Sequence, residues 1–131
     1  MKPLVLVVDQ DADNRDLYCS YLVYEGFDCV SAADGDQALQ LIRERVPHVV
    51  LLDVRLPHVD GWALAQQVKS NPLLQSIRVV MLTADGSPDD RVRAASVRAD
   101  GFLPKPAPPQ DVVYVIRALL ESAGPDAGTV Q

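Results

Sequence analysis

Five short apolar runs, separated by longer segments with helical spacing, organise this chain. Residues 4–8 (Leu4-Val5-Leu6-Val7-Val8) form a continuous apolar run, the pattern of a strand buried on both faces. Residues 13–24 then read as a helix with apolar positions at Leu17, Tyr21 and Tyr24, stopped by Gly26. Residues 27–32 read as a second strand, Asp34-Gly35 as a turn, and 37–45 as a helix with Ala38, Leu39 and Ile42 on one face. Val49-Val50-Leu51-Leu52 is a third strand that ends on Asp53, and Asp60-Gly61 leads into a helix carrying Trp62, Ala65 and Val68, closed by Asn71-Pro72. Val79-Val80-Met81-Leu82 ends on Thr83. Pro88-Asp89-Asp90 opens a weaker helix with Val92, Ala95 and Ala99 as its thin apolar stripe. Phe102-Leu103 is a short fifth strand before Lys105-Pro106, and residues 109–121 form a last helix with Val112, Val115, Ile116, Leu119 and Leu120 inward. Strict alternation of helices with strands too apolar to face water predicts an α/β fold, an open doubly wound parallel sheet with helices on both faces. A closed eight-unit barrel needs about 200 residues or more and is excluded by length.

Composition narrows the function classes. The 131 residues are 48% apolar and 23% charged, which suits one domain with a core of its own. Twelve basic against 18 acidic residues give a formal charge of −6, which argues against direct nucleic-acid binding through phosphate neutralisation. A protein partner or a bound cation fits better. No apolar run approaches the roughly 20 residues of a membrane span. The first run is too short for a signal-peptide core, so the expectation is a cytoplasmic protein without membrane contact. Cys19 and Cys29 lie in apolar surroundings and read as buried free thiols rather than a disulfide. The tail, residues 122–131, is rich in Gly and Pro and is expected to be disordered. Neither a linker nor a second domain is visible.

In such sheets ligands bind beyond the carboxyl ends of the strands. Strand one ends on Asp9, Gln10 and Asp11, strand three on Asp53, strand four on Thr83 and strand five on Lys105. Carboxylates, a hydroxyl and an ammonium therefore converge at one rim. Clustered carboxylates repel unless a cation sits among them, and hard oxygen ligands suit Mg²⁺. A carboxylate beside such a metal can attack a phosphoryl group, whose oxygens the metal, Lys105 and Thr83 would hold. Neither a Walker-type nor a dinucleotide fingerprint is present.

At these residues the chain resembles the receiver domain of two-component response regulators, over nearly its whole length (a domain spanning 1–121). Val7-Val8-Asp9 is similar to the family's first-strand acidic motif, and Leu51-Leu52-Asp53-Val54-Arg55-Leu56-Pro57 with Asp60-Gly61 to its phosphoacceptor segment. Met81-Leu82-Thr83-Ala84 and Leu103-Pro104-Lys105-Pro106 resemble its fourth- and fifth-strand motifs. The resemblance implies a flavodoxin-like (βα)5 sandwich, sheet order 2-1-3-4-5, and a phosphoacceptor signalling domain rather than an enzyme. It implies that Asp53 accepts the phosphoryl group and that Thr83 and Lys105 bind its oxygens. Asp9, Asp53 and the Arg55 carbonyl would be the metal ligands, Thr83 and Phe102 the switch pair, and the bond to Pro106 cis. Partners would be a histidine kinase or phosphotransfer protein and a downstream effector, with a homodimer through the fourth helix, fifth strand and fifth helix also admissible. Arg15, Tyr18 and Leu22 are candidates for kinase recognition or for plain packing. Arg55 and Asp85 fall on positions that tune phosphoryl lifetime in the family.

One departure matters. The family carries two adjacent acids after strand one, whereas this chain has Asp9-Gln10. A unit charge near 4 Å is worth roughly 1 to 4 kcal/mol at aqueous to protein-surface dielectrics, so Mg²⁺ binding should weaken some tens-fold. Asp9 or Asp11 compensates, Arg55 swings its guanidinium toward Asp53, or the domain is a degenerate receiver that binds partners without phosphorylation. Two rivals of other classes fare worse. A haloacid-dehalogenase-type phosphatase wants an acid where Arg55 stands, and a flavoprotein would meet Asp9-Gln10-Asp11 where phosphate should bind.

Overall fold

The computed structural model describes residues 2–84 and 87–122. Ten elements alternate: β1 Leu4–Val8, α1 Ala12–Tyr24, β2 Asp28–Ala32, α2 Gly35–Arg45, β3 Val49–Asp53, α3 Gly61–Ser70, β4 Arg78–Thr83, α4 Pro88–Ser96, β5 Gly101–Pro104 and α5 Pro109–Glu121. All strand pairs are parallel and the sheet order is β2-β1-β3-β4-β5. The expected tail from residue 123 and Asp85 lie outside the described residues.

Alternation along the strands builds two cores. Leu6, Val8, Val50, Leu52, Val79 and Met81 face α2, α3 and α4. Val5, Val7, Val49, Leu51, Val80 and Leu82 face α1 and α5. Every residue of β1 and β3 is buried, as their unbroken apolar runs require. Asp11, Asp34, Asp60 and Ser87 cap α1, α2, α3 and α4, each accepting a main-chain N–H two or three residues on. All four caps stand in the loop that follows a strand, so helix starts and rim chemistry share the same short segments.

Three expectations need correction. On α1 the buried residues are Tyr18 and Leu22, while Leu17 is 53% and Tyr24 82% exposed. That helix is apolar on most sides, so periodicity alone could not pick its inner face. On α4, Val92 is 70% exposed and Ala95 is exposed as well, while the inner positions are Ala94 and, at the C-cap, Val97; the small Ala94 lets the helix approach on a face that hydrophobicity does not mark. The cysteines are joined rather than free. The α1–β2 packing brings the Cα atoms of Cys19 and Cys29 to 5.6 Å, within disulfide reach, and both residues are half-buried.

Candidate functional site

Parallel strands deliver their terminal residues to one rim, and each rim residue inherits burial from its strand. Asp53 closes β3, pairs in register with Leu82, and is 3% exposed. One of its carboxylate oxygens accepts the Arg55 main-chain N–H at 2.9 Å, and the other accepts Lys105 Nζ at 2.6 Å. Thr83 closes β4 opposite Pro104 and is fully buried, and its carbonyl accepts the Lys105 N–H at 2.6 Å. The Lys105–Pro106 peptide bond is cis.

Asp9 follows β1 directly and is 1% exposed. Its oxygens accept the Asp11 main-chain N–H (2.9 Å) and the Asn14 side-chain amide (3.3 Å), and Lys105 Nζ stands 4.0 Å away. Burial pushes the Asp9 carboxyl above the ordinary carboxylate range. The Asp11 amide pulls it back, the Asp53 charge raises it further, and Lys105 and Asn14 lower it. The Tyr18 phenol is raised as well, by burial first and then by the charges of Asp9 and Asp53. Two buried carboxylates thus share one ammonium, Lys105, and an excess of negative charge remains at the rim.

The structure brings together Asp9, Asp53, Thr83 and Lys105 but leaves the side chains of four other candidates apart. Gln10 and Asp11 are solvent-exposed, and Asp11 is committed to capping α1. The Arg55 side chain is exposed, and the residue meets Asp53 through its main-chain N–H. Phe102 is half-buried under the α4 helix, with the Arg91 guanidinium 5.7 Å from its ring centroid. Among the described residues no group of three His, Cys, Asp or Glu side chains could hold a metal. The available donors are the Asp9 and Asp53 carboxylates and main-chain carbonyls, all hard oxygens. The buried, charge-strained Asp9 is the group a divalent cation would relieve, so the set fits Mg²⁺ with one carboxylate fewer than a three-acid pocket.

Sequence reading missed the α1 contribution. Asn14 holds Asp9 by its amide, and Arg15 donates to the Asp9 carbonyl at 2.7 Å. Tyr18 and Leu22 are packing positions, with the Tyr18 hydroxyl donating to the Ala107 carbonyl at 2.8 Å. A 3.6-residue repeat from Asp11 marks Asn14, Arg15 and Tyr18 as the helix side facing the rim, a signal present in the sequence. Between this helix and the loop after β5 lies a groove of about 570 Å³ lined by Asn14, Leu17, Tyr18, Lys105, Pro106 and Pro109.

Comparison with known proteins points one way. Residues 5–117 match the family model described as response regulator receiver domain. The chain is 35% identical over 121 residues to the phosphate regulon transcriptional regulatory protein PhoB of Pseudomonas aeruginosa, covering 92% of this chain and 53% of that protein. PhoB of Escherichia coli K12 is 37% identical, with 94% and 54% covered. The chain spans about half the length of these curated relatives. Among solved structures, the chemotaxis response regulator CheY4 of Vibrio cholerae superposes with a TM-score of 0.85 at 26% identity, covering 90% of this chain and 98% of that one.

Proposed function

The chain belongs to the response regulator receiver family, and from that premise we propose that it is a phosphoacceptor switch with Asp53 as the accepting residue. One observation carries the reading: Asp53 is a buried strand-end carboxylate whose oxygen is held at 2.6 Å by Lys105, beside a second buried acid and the buried Thr83. A phosphohistidine donor would approach the Asp53 oxygen. The N–P bond breaks, the O–P bond of an acyl phosphate forms, and the released imidazole nitrogen keeps its electron pair or takes up a proton. Lys105 then follows one phosphoryl oxygen, and the Thr83 hydroxyl bonds another. Receiver domains generally bind Mg²⁺; here Asp9, Asp53 and the Arg55 carbonyl would hold it. Bound there, it would neutralise charge on the transferring group. With Gln10 neutral and exposed, weak binding is expected.

Receiver domains interact with histidine kinases and downstream effectors. The groove between α1 and the loop after β5 opens at Lys105 and has an apolar wall in Leu17 and Pro109, which supports docking of a donor helix there. Phosphorylation of Asp53 adds about −1.5 to −2 charge at the end of β3, next to the end of β4. Phe102 pairs with Met81, two residues before Thr83 on β4, so the change would pass along β4 and β5 to the face of α4, β5 and α5, where Val92 and Tyr114 are exposed. That face would meet an effector or a second copy. No described helix is long and apolar enough to cross a membrane, and we place the domain in the cytoplasm with its kinase.

Phosphoramidate, a small donor with the same N–P bond, tests the assignment. A hydroxylamine-sensitive phosphoryl group on the peptide containing Asp53, lost in Asp53→Asn, is the expected result; a label elsewhere overturns it. The neutral Gln10 favours one second reading, a receiver-shaped module that binds partners without phosphorylation.

A further inference from the structure

The Cys19–Cys29 pair stands outside the phosphoacceptor chemistry. Cys19 lies midway along α1, and Cys29 on β2, the edge strand of the sheet. Their sulfurs are bonded across a separation of 10 residues. Both residues are half-buried, and the neighbouring strand positions Asp28 and Ser31 are solvent-exposed, so a small thiol can reach the bond. Both cysteines pack at the margin of the core on this side of the sheet, whose fully buried members here are Tyr18 and Leu22 from α1 and Phe27 before β2. Reduction would leave neither sulfur stranded, because the Val30 carbonyl lies 4.0 Å from the Cys19 sulfur and 3.7 Å from that of Cys29, a weak acceptor for either thiol. Exposed disulfides are the labile ones that exchange with small thiols, whereas buried structural ones resist reduction.

We propose that Cys19 and Cys29 form a reversible redox-modification site, a dithiol–disulfide pair that exchanges with small thiols and disulfides of the glutathione class. In the oxidising direction the two thiols lose two protons and two electrons, one S–S bond forms, and one glutathione disulfide is reduced to two glutathiones. The reverse step uses two glutathiones. The helix so tethered also supplies Asp11, Asn14, Arg15 and Tyr18 to the rim of the pocket. The disulfide state therefore ties the pocket-lining helix covalently to the sheet edge, and in the dithiol state the packing of Tyr18 and Leu22 alone holds it. This goes beyond the phosphoacceptor reading and does not depend on it.

The test is equilibration of the folded chain in glutathione buffers of graded reduced-to-oxidised ratio, acid quench, alkylation with iodoacetamide and intact mass. The expected result is a smooth passage from a species with no alkyl groups to one with two, reversible in both directions. Cys19→Ser and Cys29→Ser should each lose the transition and show at most one alkylation. Hydrogen exchange of the two end states should show the disulfide form about a hundredfold slower at amides that open only by global unfolding. Thiols that appear only after denaturation would make the bond a permanent cross-link, and thiols that never pair in disulfide-rich buffer would remove the site; either result overturns the proposal. Because no step involves Asp53, its failure is distinguishable from a failure of phosphorylation.

Discussion

At the scale of single residues, Asp9 bears the electrostatic strain of the pocket. Its pKa is raised by burial in the folded chain, so above that folded-state value the ionised carboxylate destabilises the fold relative to the unfolded chain. As pH falls through the folded-state value toward the ordinary one, the folded chain takes up its proton first and this destabilisation fades. Asp9→Asn should therefore raise the urea midpoint at neutral pH, with the gap to the parent closing in mildly acidic buffer. The same variant should weaken Mg²⁺ binding by calorimetry. A variant less stable than the parent at neutral pH would show that the hydrogen bonds from Asp11 and Asn14 outweigh the burial of charge. Lys69 is the residue whose role was least legible. A lysine at the end of an amphipathic helix reads as a solvated charge, yet it is 7% exposed and its ammonium donates to the Gln75 and Ile77 carbonyls and to Asp100 at 2.8 Å. Asp100 in turn accepts the Val79 N–H and faces Arg78 at 3.7 Å. Lys69→Met leaves Asp100 short of its main partner and should cost roughly 3 kcal/mol of stability in urea denaturation.

At the scale of elements, the position of α3 depends on one glycine. A Cβ on Gly61 would run into the Asp53 carbonyl oxygen and stand 2.6 Å from the Val54 Cα, both main-chain atoms that cannot yield without moving the acceptor strand. Gly61→Ala is expected to lose about 1 to 3 kcal/mol of stability. It should also slow phosphorylation of Asp53, because the clash lies at the proposed acceptor residue; full stability together with parental labelling kinetics would refute this account. Elements with unambiguous patterns were legible from the sequence: the buried runs of β1, β3 and β4 could be nothing but inner strands, and the residues ending them had to share a rim. Faces of α1 and α4 were less legible. Apolar residues surround α1, and the inner face of α4 is marked by Ala94 and Val97 rather than by Val92. Which side of a helix meets the sheet is decided by its crossover, and short-range spacing does not encode that. The same reason hid the Cys19–Cys29 pairing, which depends on how α1 lies across β2.

At the scale of the whole molecule, the two cores on either face of the sheet make the fold independent of the pocket and of the disulfide. Reduction should lower stability by about 3 kcal/mol, the loop-closure contribution of a bridge spanning so few residues, while leaving the far-ultraviolet circular dichroism unchanged. A collapse of secondary structure on reduction would contradict the packing argument. We propose that a pocket with two buried carboxylates and the neutral Gln10 still accepts a phosphoryl group through Mg²⁺. The most direct measurement is intact mass after incubation with a small phosphodonor across a Mg²⁺ titration, for the parent chain, Gln10→Asp and Asp53→Asn. The account predicts a Mg²⁺-dependent gain of one phosphoryl group in the parent, none in Asp53→Asn, and half-saturation in Gln10→Asp at roughly tenfold or more lower Mg²⁺. No gain in the parent at any Mg²⁺, with labelling restored in Gln10→Asp, would contradict it and leave a receiver that works by binding alone.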